Sequence, residues 1–287
     1  MIKPFLKVLL TFCIFSQYAF AQDLVTQPEK YTAHNKGKFY VYWGGNRAQY
    51  TKSDINFTGD GYNFTLYDVK AHDKGKGWNI DYINPSRMTI PQTNGRIGYF
   101  ISDHYNVSIG IDHMKYVMYQ DRTVNANGYI NLPQDQAGAA FNGIYNNVPV
   151  VLTDDFLTFE HTDGLNYVNV GINRVDDLSK LFGVTDTDVF QINITNGLGG
   201  GVLYPKTNAK VLGKDRHDNY HISGYGVSAS TGLNFTFFKH FFIQGELKGG
   251  YINMPDIRTT FSGNDRASQH FMYFQQNIVF GGTFKLF

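Results

Sequence analysis

The chain has 287 residues with 25 Lys and Arg against 24 Asp and Glu, so it lacks the basic footprint of a nucleic-acid binder. With 20 Tyr, 24 Phe and 30 Gly but only 42% hydrophobic residues, it suits a barrel with aromatic girdles better than a soluble core. After residue 21 no segment offers the roughly 20 apolar residues of a spanning helix, so any membrane crossing must be a closed sheet.

Residues 1–21 have the pattern of a cleaved signal peptide. Lys3 and Lys7 give a basic start, Phe5 to Phe15 form the apolar core, and Ala19-Phe20-Ala21 supplies the small-x-small site before Gln22. A membrane anchor would need a longer run and a basic stop. The single cysteine, Cys13, follows Phe12 rather than the small residue that lipidation requires. Without the signal peptide the chain has no thiol, which suits an oxidising compartment.

Residues 22–37 are polar and aperiodic, a periplasmic leader, and the barrel is expected over 38–287. The first strand is Lys38 to Asn46, with Phe39, Val41 and Trp43 on one face. Tyr50 to Thr58 is a weak second strand, closed by the turn Gly59-Asp60-Gly61. Tyr62 to His72 follows, then a loop from Lys74 to Gln92. Asn94 to Ile101 and Tyr105 to Tyr119 pair around Ser102-Asp103-His104. They set Ile97, Tyr99, Ile109 and Ile111 against Arg96, Gly98, Ser108 and Asp112. Asp121 to Asp154, rich in Asn and Gly, is expected to be irregular.

Asp155 to Ile172 is one long strand, or a hairpin split at Asp163-Gly164. A connection to Asp186, a strand over Val189 to Asn196 and a loop over Gly197 to Asp218 come next. The clearest alternation is the hairpin of Tyr225 to Phe237 and Phe241 to Tyr251. There Tyr225, Val227, Leu233, Ile243 and Leu247 oppose Gly226, Ser228, Gln244, Glu246 and Lys248. A loop over Asn253 to Ser268 and a closing strand over His270 to Phe287 complete the chain. The expectation is an all-β, up-and-down antiparallel transmembrane barrel of about ten strands, with eight or twelve open.

Signal peptide, alternation and the strand-final aromatic Phe287 together resemble the outer-membrane β-barrel proteins of Gram-negative bacteria. That resemblance implies an outer-membrane location, a lipid surround and, through Phe287, the barrel-insertion machinery as a biogenesis partner. Phe287 shares parity with Lys285 and Thr283, while Ile278, Phe280, Phe284 and Leu286 form the greasier set. Trp43-Gly44-Gly45-Asn46-Arg47, Tyr50-Thr51-Lys52-Ser53-Asp54-Ile55 and Asp112-His113-Met114-Lys115-Tyr116 look like motifs of an uncharacterised single-barrel group, which implies no activity.

Four charges, Arg96, Asp112, Glu246 and Lys248, are placed in the lumen, where they must pair or stay wet. They form either a selective constriction or an internal ladder that fills the barrel. His221 and Ser223 share a face, and their spacing resembles the His-x-Ser of outer-membrane phospholipases and lipid A deacylases. Gly224 replaces the Asn that follows in the phospholipases, and no orienting acid is evident. Asp215, His217, Asp218 and His221 could ligate a divalent cation, although a polar loop is the usual meaning of such spacing. His113 and Lys115 fall on the lipid parity of Ile111, so Lys115 is expected to reach the headgroups. Phe237, Phe238, Phe241 and Phe242 are expected to form the periplasmic girdle. Gly199-Gly200-Gly201 lacks a following Lys-Ser/Thr, and no cofactor is expected. The reading is a structural barrel or complex subunit with extracellular loops and a possible protein partner. A narrow channel and a lipid hydrolase are the alternatives.

Overall fold

The computed structural model describes residues 34–75, 77, 91–217 and 219–286. The expected signal peptide, most of the leader, Asp218, Phe287 and most of the 74–92 loop lie outside these. In chain order the strands are β1 (Lys38–Tyr50), β2 (Ser53–Gly59), β3 (Tyr62–Val69), β4 (Ala71–His72), β5 (Thr93–Phe100), β6 (Tyr105–Met118) and β7 (Thr123–Ile130). Then come β8 (Gly143–Val151), β9 (Leu157–Asp177), β10 (Phe190–Leu203), β11 (Asn208–Val211), β12 (Gly224–Phe237), β13 (Phe241–Arg258) and β14 (Arg266–Lys285).

Eight of them close a ring in the order β1-β5-β6-β9-β10-β12-β13-β14, with β14 pairing back to β1. Every pairing is antiparallel. A lateral row can be followed from Val41 through Ile97, Ile109, Val170, Gly200, Val227, Tyr251 and Met272. It returns to the first strand's chain at Thr51, a stagger of ten residues (51 against 41). Eight strands at that stagger tilt by roughly 40° and leave an interior that side chains can just fill.

The two faces separate as the alternation requires. Ile97, Ile109, Val170, Leu198, Val227 and Ile278 are exposed on the outside, while Asn106, Asp112, Asn169, Asn193, Lys248 and Asn277 are buried inside. A closed sheet has no edge for hydrocarbon to strip of hydrogen bonds, and this one presents an apolar band outward. The ring is a membrane-spanning barrel. Its connections at one end are 101–104, 178–189 and 238–240, none longer than 12 residues; at the other, 51–92, 119–156 and 204–223 are each 20 residues or more and 259–265 is 7. That asymmetry places the short turns in the periplasm and the long connections outside the cell.

Those long connections fold into a sheet of their own. β14 continues above the bilayer and pairs β2 through Arg266–Gln269, and β3, β7 and β8 follow in order. Thus two of the ten strands expected to span, β2 and β3, stand on top of an eight-strand ring, and their Gly59-Asp60-Gly61 turn is extracellular. The segment expected to be irregular, Asp121 to Asp154, contains the β7–β8 hairpin. Much of the loops expected at 197–218 and 253–268 is strand as well, since β10 runs to Leu203, β13 to Arg258 and β14 starts at Arg266.

Asp163-Gly164 marks neither a turn nor a break. Between Met114 and Tyr116 β6 advances two residues while β9 advances four, from Leu165 to His161, so Thr162–Gly164 bulge from the ladder. Gly164 takes φ 137°, a conformation open to glycine, at this bulge. Above it both faces of the strands are covered. Ile55, Phe57, Phe64, Tyr116, Phe159 and Phe271 meet in one apolar core that continues down the strands to Leu165, Tyr167, Ile252 and Tyr273. Burial of each such ring contributes about 1.5–3 kcal/mol.

Candidate functional site in the barrel lumen

From the periplasmic end upward, the lumen has three storeys. The lowest is aromatic: Tyr40, Tyr42, Phe100 and Phe242 pack with Val279. Phe242, expected in the outer girdle, therefore faces inward, whereas Phe238 and Phe241 are exposed at the turn as a girdle requires. The uppermost storey is the apolar core just described. Between them lies a polar layer.

The structure brings Arg96 of β5, Asp112 of β6, and Glu246 and Lys248 of β13 into that layer. Lys248 Nζ lies 2.8 Å from Asp112 Oδ2 and 3.6 Å from Glu246 Oε1, with the lysine and aspartate side chains 4% and 1% exposed. β6 and β13 are four strands apart in the ring, so the Lys248–Asp112 pair spans the lumen as a diameter. Arg96 donates to Asn169 Oδ1 at 2.7 Å and to Ser108 Oγ at 3.1 Å. Glu246 accepts from Asn277 Nδ2 at 2.8 Å and from Gln244 Nε2 at 3.3 Å. Two cations and two anions balance formally, as charges in a low-dielectric interior must. The neutral members of the layer, among them Asn169, Gln275 and Asn277, were not singled out from the sequence. Their signal was available, because Gln275 and Asn277 occupy the parity opposite Ile278 and Phe280.

Other expected site residues are placed differently. His113 is 5% and Lys115 8% exposed, so Lys115 does not reach the headgroups. At Asp112 the strand enters the region where both faces are covered, and the His113 ring meets Asn166 Oδ1 at 2.7 Å. The acid that seemed absent from the sequence beside His221 is Asp256, whose Oδ2 lies 2.9 Å from His221 Nε2 and whose Oδ1 takes Arg266 at 2.8 Å. Ser223 does not face lipid; it is 2% exposed, and its hydroxyl donates to the His221 carbonyl oxygen at 3.4 Å. A serine held this way is not aimed at an imidazole that could activate it.

His217 has both ring nitrogens engaged, one with the Arg258 carbonyl at 2.7 Å and one with the Asn219 N–H at 3.1 Å. Burial also pushes its pKa down. Among the described residues no three His, Cys, Asp or Glu side chains gather as a metal site. Above the membrane His161 is fully buried, hydrogen-bonded to Thr207 and Gln269, and burial pushes its pKa down to about 3. Lys214 reaches the buried Asp265 at 3.1 Å and lies 4.9 Å above the Tyr62 ring, joining three of the extracellular connections.

A closed eight-strand ring, an apolar exterior and a polar, charged interior define a small outer-membrane β-barrel protein. No protein-family model and no curated protein matches the sequence. Solved structures of similar architecture include the outer membrane protein OprG from Pseudomonas aeruginosa, at 10% identity and TM-score 0.39, covering 88% of this chain and 98% of that one. Ail, the attachment invasion locus protein of Yersinia pestis, is 9% identical with TM-score 0.26, covering 85% and 99%. Neisserial surface protein A is 12% identical with TM-score 0.28, covering 84% and 98%. Values this low transfer no function, and the class rests on the ring and its two faces.

Proposed function

We propose that the protein is a sealed outer-membrane anchor that displays a rigid β-sheet outside the cell, exported through the signal peptide at residues 1–21. The observation that carries this reading is the apolar core across the outer half of the lumen. Phe271, Tyr116 and Ile252 are each buried to within 2% there, and a solute would have to displace them. The Lys248–Asp112 diameter closes the section below. Above the core the β7–β8 hairpin presents Tyr129, Ile144 and Val151 to solvent, with β8 at the free end of the sheet. The barrel thus serves as a foundation, and the outer sheet is the part available to a partner. Planar-bilayer recording with the purified chain tests this. The expectation is no unitary current at any holding potential, and reproducible single-channel steps would refute it in favour of a narrow channel.

A further inference from the structure

Below the charge layer the lumen is not filled. A cavity of about 70 Å³ opens between Lys38, Lys239 and Thr283 at the periplasmic turns and ends on Arg96 and Glu246. At 10–15 Å³ per water-sized sphere it holds roughly five to seven waters. We propose that it is a blind binding site, entered from the periplasm, for a small neutral polyhydroxylated molecule. This goes beyond the anchoring role, and its blind end rests on the sealed lumen proposed above.

Three observations point to that chemistry. The wall is built from carboxamides on five strands, among them Asn106, Asn173, Asn193, Asn234 and Gln244. Each offers both donors and an acceptor, which is what vicinal hydroxyls require. They also form a directed relay: Asn193 donates to Asn234 at 3.3 Å, Asn234 to Gln244 at 3.2 Å, and Gln244 to Glu246 at 3.3 Å. At its start Asn193 Oδ1 has no hydrogen-bond partner among the described residues, although Asn193 is 4% exposed. An acceptor left in that position calls for a hydroxyl donor.

The second observation is charge. Arg96 and Glu246 at the floor are already satisfied by Asn169, Ser108, Asn277 and Gln244. At the mouth Lys239 is 2.8 Å from Asp188, while Lys38 has Asn35 Oδ1 at 3.5 Å, so free charge is confined to the entrance. An ion inside would therefore find no uncommitted counter-charge at the floor, and a neutral molecule is the better fit. The third is the aromatic side of the pocket. Tyr40, Tyr42, Phe100 and Phe242 line it opposite the amides, giving the C–H face of a polyol an apolar surface.

The test uses the full chain, isotope-labelled and held in an amine-oxide detergent that carries no sugar. Its probe is the four-carbon polyol erythritol, followed through the side-chain amide resonances of Asn and Gln. The expected result is a saturable shift with a Kd in roughly the millimolar range. Asn193→Leu should weaken it about five- to tenfold. Phe242→Trp, which fills the pocket from the other wall, should abolish it, with unchanged backbone amide dispersion as the check that both variants fold. Shifts that stay linear in erythritol, or that survive Phe242→Trp, overturn the proposal. So does saturation of the same resonances by the similarly sized dianion succinate. Passage of erythritol into proteoliposomes would overturn the blind site as well, since the pocket would then be one stretch of a path.

Discussion

Replacing Lys248 by Met removes the cation from the lumen's diameter and leaves Asp112 facing a section it can no longer neutralise. At 2.8 Å and an effective dielectric constant of about 20, the pair attracts by about 6 kcal/mol, against a desolvation cost of several kcal/mol per ion. Among the described residues Asp112 then keeps only a weak bond from Asn169 Nδ2, at 3.4 Å. The single variant is therefore expected to lose about 3–5 kcal/mol of stability, as breaking one side of a buried pair does. The double variant Asp112→Asn/Lys248→Met removes both charges and should recover most of that loss. The assay is the folded fraction against urea in detergent micelles, with folded and unfolded forms separated by gel mobility. If Lys248→Met leaves the midpoint unmoved, or the two substitutions simply add, the pair is not a buried strut and the account of the polar layer is wrong.

Acidification should loosen the outer sheet. The His161 pKa of about 3 lies below the unfolded value of 6.5, so between those values only the unfolded state takes up the proton. The sheet's stability is fully present above about pH 6.5 and falls by just over 1 kcal/mol per unit as the pH drops towards 3. Hydrogen exchange at β9 and β14 should report this, and His161→Gln, which does not titrate, should flatten the profile. Phe271→Ala removes a ring stacked on Tyr116 at 5.1 Å and should cost about 3–5 kcal/mol. Urea titration of the outer sheet's near-ultraviolet signal would measure it, and a cost under 1 kcal/mol would count against a packed plug. Gly128→Ala places a Cβ 2.1 Å from the Asn63 carbonyl oxygen at φ 123° and should unzip β7 from β3, read as lost amide protection on Asn63 to Leu66. Ser223→Ala should leave outer-membrane lipid masses in expressing cells unchanged, and an altered lipid profile that depends on Ser223 would reinstate the hydrolase.

The barrel was legible wherever one face of a strand met lipid, as at Ile97, Ile109, Val170 and Val227. The central count of ten stood above the eight it left open for a physical reason. Ile55 and Phe57 alternate with polar neighbours just as lipid-facing residues do, but they face a protein core, and a period of two does not distinguish one apolar medium from another. β7 and β8 were hidden by Asn125, Asn127, Asn146 and Asn147, which sit on the wet side of a sheet whose dry side needs only Ala126, Ile130, Tyr145 and Val150. In the lumen the four charges stand out in the sequence because they interrupt alternating strands. Their arrangement across a diameter depends on the order of strands around the ring, which no local pattern encodes. Asp256 escaped notice beside His221 because 35 residues and a strand pairing separate them.

β14 runs unbroken for 20 residues from the periplasmic rim to the point where it pairs with β2. The exposed hairpin at Ile144 is thus joined to the barrel wall through continuous backbone ladders, not slung from tethers. A body that grips the hairpin meets an object whose height and heading above the lipid are fixed. Any pull on it is passed as shear through the ladders into the ring.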